Sequence, residues 1–242
     1  MTEQPGPVAS APDGHVSSQV CVIIPAAGSG TRLGEPIPKA FVDLRGRTIL
    51  ERCVDQVLDL NARVVVVVPA DLVARARLLL PSQVSVVAGG AHRSTSVRAG
   101  LAAAGAAGII LVHDAARPLT PVSVFRRVID AIRSGHRAVI PGIPVADTLK
   151  HVEQIGAGLA QVTTTVDRDL LRAIQTPQGF TREALIAAHA DDEGLATDDA
   201  GLAERIGIPV CVVDGHPMAM KITTPWDLRV IRQILDSGEV VT

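Results

Sequence analysis

The sequence predicts an α/β fold: a mostly parallel sheet flanked by helices, with a protruding β-hairpin arm. Strand-like apolar runs recur along the chain with helical patterns between them, as in βαβ units. The first run, Val20-Cys21-Val22-Ile23-Ile24, is apolar without alternation, the pattern of a strand buried on both faces. Residues 143–166 break the alternation with two β-prone arms around Gly156-Ala157-Gly158.

Strands are expected over 20–24, 63–68, 84–88, 109–112, 138–141 and 210–213. Thr48-Ile49-Leu50-Glu51 is a capping box, opening a helix whose apolar face carries Ile49, Leu50, Cys53, Val54 and Val57. A helix from about Ser94 to Ala104 follows Gly89-Gly90. Thr120-Pro121 places an N-cap and a first-turn proline before a helix over Val122–Arg133. Thr224-Pro225 repeats that signal before Trp226–Leu235, and Gly238 is the stop. Two-stranded hairpins are marginal in water. The arm at 143–166 therefore needs a surface to rest on, and a second subunit supplies one.

The chain has 242 residues, enough for one large domain with a substantial core, and shows no internal repeat or second-domain linker. Residues 1–19 are rich in Pro, Gly, Ser and Ala and lack a basic n-region, predicting a disordered tail, with the domain over 20–242. A net charge of -2 implies no broad nucleic-acid or membrane surface, and 2% aromatic content leaves few rings for stacking bases. No apolar stretch reaches the roughly 18 residues of a membrane span. Cys21, Cys53 and Cys211 are odd in number and far apart, which predicts free thiols and a reducing, cytoplasmic setting. Of 23 Lys and Arg residues only Lys39, Lys150 and Lys221 are lysines. Lys39 and Lys221 stand beside strand ends, where a compact ammonium suits a phosphate.

The chemistry concentrates after the first strand, in Pro25-Ala26-Ala27-Gly28-Ser29-Gly30-Thr31-Arg32-Leu33 with Pro38-Lys39. A small-residue loop at a strand end leaves backbone N–H groups free to cradle an anion. Arg32 and Lys39 add two cations where a triphosphate would lie. No Gly-Lys-Ser/Thr closes the loop, so it is not a P-loop. Glycines at 28, 30 and 34 give G-x-G-x-x-x-G, not the dinucleotide fingerprint. That spacing, and the lack of an acidic ribose contact after the second strand, disfavour an NAD-dependent oxidoreductase.

Val112-His113-Asp114-Ala115-Ala116-Arg117-Pro118 follows another apolar run, and ligands bind beyond the carboxyl ends of such strands. Asp114 is placed to hold Mg²⁺ with substrate phosphates, and Arg117 to grip a phosphate, or the two form a helix cap with its surface partner. Gly89-Gly90 and Ser96 read alone as a helix-entry turn. Lys221 lies in Met218–Pro225, read as a short strand in which a lysine must reach water or an anion. Asp147-Thr148 and Arg168, at the two ends of the hairpin, read alone as solvated surface. Asp191-Asp192-Glu193 and Asp198-Asp199 read as exposed loop and helix-start charge. The seven histidines show no metal-ligand spacing.

Four segments together resemble the 2-C-methyl-D-erythritol 4-phosphate cytidylyltransferases of the non-mevalonate isoprenoid pathway: Pro25–Leu33 with Pro38-Lys39, Gly89-Gly90 to Ser96, Val112–Pro118 and Lys221–Pro225. Asp147-Thr148 and Thr165–Arg168 follow in the same order. The resemblance implies a Rossmann-like fold and transfer of CMP from CTP to methylerythritol phosphate with release of pyrophosphate. It implies that Arg32, Lys39 and Lys221 act on the phosphates, and that Asp114 lies by the Mg²⁺ and substrate. Ala26, Ala27, Gly28, Gly90 and Ser96 would hold the nucleotide, with Gly90 and Ser96 reading cytosine. Arg117 and Thr176 would line the sugar-phosphate pocket. It further implies a homodimer in which Thr148 and Arg168 serve the neighbour's site. Ala40, Ala91 and Met220 depart from the residues common there. The closest rival is a ribitol-5-phosphate cytidylyltransferase, which shares the CTP half. A non-catalytic nucleotide-binding subunit would be signalled by loss of Arg32 or Lys39, and both are present.

Overall fold

The computed structural model describes residues 19–28, 33–35, 37–190 and 198–238. Ten strands alternate with seven α-helices among these residues. In chain order, β1 is Val20–Pro25, β2 Arg63–Val68, β3 Ser85–Ala88, β4 Ile109–Val112 and β5 Ala138–Pro144. They continue as β6 Lys150–Gly156, β7 Leu159–Thr165, β8 Arg172–Ile174, β9 Gln178–Thr181 and β10 Val210–Asp214. The helices are α1 Ile49–Leu58, α2 Val73–Leu79, α3 Arg93–Ala102, α4 Val122–Arg133, α5 Arg182–Ala190, α6 Asp199–Arg205 and α7 Pro225–Ser237.

The main sheet runs β10-β5-β9-β4-β1-β2-β3, with β8 paired to β5. Its ladders are parallel except around β9, which is antiparallel to β4 and β5, and at β8. All six strands expected from the sequence form. The sequence reading did not identify β8 or β9, nor α2, α5 and α6. Their segments are short, and β9 (Gln-Gly-Phe-Thr) carries no apolar run.

Successive strand residues point to opposite faces, so one strand feeds two cores. Val22, Ile24, Val66 and Leu111 pack with Leu50 and Val54 of α1 and Phe125 and Val128 of α4. Ile23, Val67 and Ile110 pack with Val97 of α3, Leu185 of α5 and Leu202 of α6. A third cluster joins Leu33, Leu44, Ile49, Leu119 and Ile222 to Leu228 and Ile231 of α7.

Two of the expected helix entries hold in full. Thr48 and Glu51 form the reciprocal capping box of α1, a feature contributing about 1 kcal/mol. Thr224 caps α7, and Gly238 ends it in the left-handed conformation, φ 69°. At α4 the helix forms as expected, but Pro121 is its N-cap and the Thr120 hydroxyl turns back to the Arg117 carbonyl at 3.1 Å. Cys21, Cys53 and Cys211 are free. Burial pushes the Cys21 thiol up to about 12 and that of Cys53 higher still, which makes both inert. No helix among the described residues is long and apolar enough to cross a membrane.

The arm forms as β6 and β7, a two-stranded antiparallel sheet of its own. Val152 faces Val162 across the pair, and both are more than half exposed, as are Ile155 and Leu159. Expectations for residues 1–18 and for Asp191-Asp192-Glu193 lie outside the described residues.

Candidate active site

The chain leaves the sheet at the carboxyl ends of β1 and β4, neighbours from which the strand order runs in opposite directions. Such a switch point opens a crevice in any doubly wound sheet. Here Pro25–Gly28 form its floor, and the Gly90–Arg93 turn with Ser96 forms one wall. Asp114–Ala116 with Lys221 form the other wall, and Lys39, Ala40 and Ile49 close the side. Ala26, Ala27, Gly28, Lys39, Gly90, Ser96, Asp114 and Lys221 are thus brought to one cleft from five separate segments. Two of the departures from the family pattern, Ala40 and Ala91, line it as well. Arg32 lies outside the described residues.

The glycine wall is built by close approach. A Cβ on Gly89 would stand 2.7 Å from Ser96 Oγ, and one on Gly90 would collide with Thr95. Thr95 is fixed there by the entry of α3: its hydroxyl donates to the His92 carbonyl at 2.7 Å and accepts from the His92 N–H. Ser96 is buried and donates to the His92 carbonyl at 3.2 Å.

Asp114 sits among three cations. Its Oδ2 is 2.8 Å from Lys221 Nζ and 3.8 Å from Arg117 Nε, and its Oδ1 is 3.9 Å from Arg93. Burial alone would raise its pKa, but Lys221, Arg93 and Arg117 outweigh it and hold the carboxyl down at about 2. It is ionised throughout any working range.

Two placements differ from the sequence reading. Lys221 lies on no strand: Pro217–Ala219 form a 3-10 turn, and an extended link runs on to α7. The link finds its partners elsewhere. The Ile222 N–H donates to the Ala116 carbonyl at 2.8 Å, and the Ile222 carbonyl accepts from Lys39 Nζ at 2.9 Å. Fully buried in the α7 cluster, Ile222 therefore ties both lysines to the Asp114 turn. Asp199, read as exposed charge, is completely buried, pairing with Arg93 at 2.6 Å and with His189 at 2.8 Å. Asp198 is the helix start, its carboxylate accepting from the Gly201 N–H.

Arg117 and Thr176 stand against Asp114 and are not among the residues that line this cleft. Arg117 is buried and donates to the carbonyls of Ala219 at 2.5 Å and Ile174 at 3.4 Å. The Thr176 hydroxyl accepts from the Asp114 N–H at 3.0 Å and lies 2.9 Å from His113 Nδ1. His113 Nε2 is 3.3 Å from the Arg117 carbonyl. Thr148 and Arg168 are exposed at the foot of the arm, where the Arg168 guanidinium donates to the Ala146 carbonyl.

His113, which sequence reasoning passed over, thus spans both ends of the Asp114–Arg117 turn. Burial pushes its pKa down to about 4, with Asp114 pulling it up and Arg117 pulling it further down. The neutral ring donates from Nε2 and accepts at Nδ1. Because the unfolded histidine titrates near 6.5, the unfolded chain binds more protons as pH falls from about 6.5 to 4. Native stability declines across that window, by at most about 1.4 kcal/mol per pH unit for one group. Urea unfolding at pH 7 and pH 5 should show this decline in the wild type and lose most of it in His113→Phe. The variant should also be about 1–3 kcal/mol less stable at pH 7, since the buried Thr176 hydroxyl loses the ring nitrogen that accepts its proton.

Residues 20–237 match the family described as IspD, 2-C-methyl-D-erythritol 4-phosphate cytidylyltransferase. A protein of that name from Rhodococcus opacus (strain B4) is 56% identical over 221 residues, 90% of this chain and 96% of that protein. One from Nocardia farcinica (strain IFM 10152) is 52% identical over 228 residues, covering 93% and 97%. The crystal structure of the Thermus thermophilus cytidylyltransferase superposes with a TM-score of 0.75 at 37% identity, covering 90% of this chain and 99% of that one. The 4-diphosphocytidyl-2C-methyl-D-erythritol synthase of Anaerococcus prevotii DSM 20548 gives 0.79 at 28% identity, covering 91% and 98%. With a cleft at the sheet's switch point and this match along almost its whole length, the chain belongs to the 2-C-methyl-D-erythritol 4-phosphate cytidylyltransferase family.

Proposed function

We propose that this enzyme transfers CMP from CTP to 2-C-methyl-D-erythritol 4-phosphate, releasing pyrophosphate and forming 4-diphosphocytidyl-2-C-methyl-D-erythritol. The observation that carries the reading is the cleft itself, where Lys39, Lys221 and Asp114 meet the glycine wall and the Pro25–Gly28 floor. Family and relatives favour methylerythritol phosphate over ribitol 5-phosphate as the acceptor.

The acceptor phosphate is already a nucleophile near neutral pH, so no general base is needed. Catalysis is positioning plus neutralisation of the charge that develops at the α-phosphorus. Arg32, Lys39 and Lys221 supply that neutralisation. Pro25–Gly28 seat the nucleotide, and Gly90 and Ser96 face the cytosine. Arg117 and Thr176 shape the acceptor side through the Asp114 turn.

A divalent cation fits here in one way. Among the described residues no cluster of three His, Cys, Asp or Glu could hold a metal ion. Mg²⁺ would therefore rest on the ionised Asp114 and on substrate phosphates, its common mode with nucleotides. When bound, it offsets phosphate charge and favours departure of pyrophosphate.

The arm supports a homodimer. Its apolar residues are exposed within one chain, and Thr148 and Arg168 at its foot line no part of their own cleft. In the proposed dimer they complete the partner's acceptor pocket, within one nucleotidyltransferase domain acting in the cytoplasm.

Pyrophosphate release with methylerythritol phosphate and each of the four nucleoside triphosphates tests the reading. CTP should exceed UTP by orders of magnitude, because a site matched to one base edge leaves buried groups unpaired with another. Equal turnover of the two would overturn it.

A further inference from the structure

Arg93 opens α3 at the edge of the cleft, beside the glycine wall and across from Asp114. Its guanidinium is held from behind. One terminal nitrogen is 2.6 Å from Asp199 Oδ2, and the other stands 3.9 Å from Asp114 Oδ1. The anchor is built for position. Asp199 is fully buried, and its other oxygen lies 2.8 Å from Nε2 of the buried His189. The start of α6 is itself pinned to the sheet, where Gln178 donates to Asp198 at 2.7 Å and accepts from the Ala200 N–H at 3.1 Å.

A buried carboxylate with a buried histidine is a costly way to fill space between α5 and α6, where apolar side chains would serve as well. What the pair accomplishes is felt at the cleft. Tied to Asp199, Arg93 stops short of hydrogen-bonding distance from Asp114 Oδ1. The Arg93 side chain remains a third exposed, and its guanidinium carries five N–H donors, more than its carboxylate partner uses. Burial opposes its charge, yet Asp199 and Asp114 together raise its pKa above the ordinary arginine value. It is a permanent, oriented cation facing a cleft that takes two phosphorylated substrates.

We propose that Arg93 is a further substrate-contacting residue of this site, donating to a phosphate oxygen of a bound substrate, and that Asp199 and His189 are its positioning residues. This rests on the reading of the cleft as a cytidylyltransferase site. CTP and the sugar phosphate both offer that oxygen, and the kinetic arms separate them.

The experiment uses the full-length protein with Mg²⁺. KM for CTP, KM for methylerythritol phosphate and kcat are measured for wild type, Arg93→Ala, Asp199→Asn and the double variant, with calorimetric CTP binding alongside. Wild-type turnover is the control for the functional reading. In the active enzyme, Arg93→Ala should raise one KM about tenfold or more, the loss expected of a charge-assisted bond. A raised KM for CTP comes with a matching rise in its calorimetric dissociation constant and assigns the contact to the nucleotide. A raised KM for methylerythritol phosphate, with CTP binding unchanged, assigns it to the acceptor. The preference for CTP over UTP should persist.

Asp199→Asn should reproduce the Arg93→Ala effect, add little in the Arg93→Ala background, and be rescued by Asp199→Glu. If Asp199→Asn fails to fold, the partly exposed Arg93→Ala still decides the contact. Unchanged values of both KM and of CTP binding in Arg93→Ala overturn the contact. Collapse of the preference for CTP over UTP overturns it in favour of a base contact. Full additivity of the two lesions overturns the positioning role.

Discussion

Lys39→Ala is expected to lower kcat about 100-fold or more while the thermal melt stays close to wild type. The side chain sits at the start of a 3-10 turn on the cleft, with Nζ already fixed 2.9 Å from the Ile222 carbonyl. A preorganised cation of this kind costs no reorganisation when charge develops in the transition state, and removing one such donor costs on the order of 10²–10³-fold in rate. Folding should tolerate the loss, because Lys39 is only partly buried and the Ile222 N–H keeps its bond to Ala116. Arg32→Ala should behave alike. Steady-state kinetics on purified variants beside a thermal melt check both, and a wild-type kcat in either removes that residue from the catalytic role.

Mixing Arg168→Ala with Lys39→Ala is expected to restore activity that neither variant has alone. If the arm crosses to a partner, a mixed dimer carries one site with both lesions and one with neither. A one-to-one mixture at exchange equilibrium has half its dimers mixed, so about a quarter of wild-type activity should return. The exposure of Val152, Ile155, Leu159 and Val162 motivates the test, since strands with no core of their own need another surface to cover. Subunit exchange is followed by native mass spectrometry of the two variants. Exchange without recovery would place Arg168 in its own chain's pocket or on the surface.

Much of this was legible in one dimension because the signals are local. The continuous Val/Ile runs mark strands whose neighbours cover both faces, and β1, β2 and β4 form where those runs lie. Thr48 and Thr224 write their caps within four residues. The glycine wall and the Asp114 turn follow strand ends, and the strand order converts that local fact into a shared cleft.

What the sequence determined, then, is six strands of the sheet, the caps of α1 and α7, the arm and the segments that supply the cleft, because hydrophobic period, capping and turn chemistry act between near neighbours. The tertiary structure alone decided which polar groups are buried together. His113 and Thr176 are 63 positions apart and Arg117 and Ala219 are 102 apart, yet each pair is in contact. Asp199 looked like solvated helix-start charge because the residue across the cleft edge that neutralises it, Arg93, belongs to another helix. Burial of a charge is settled by its partner, and the partner is chosen by the packing of α3 against α5 and α6, which no local pattern records.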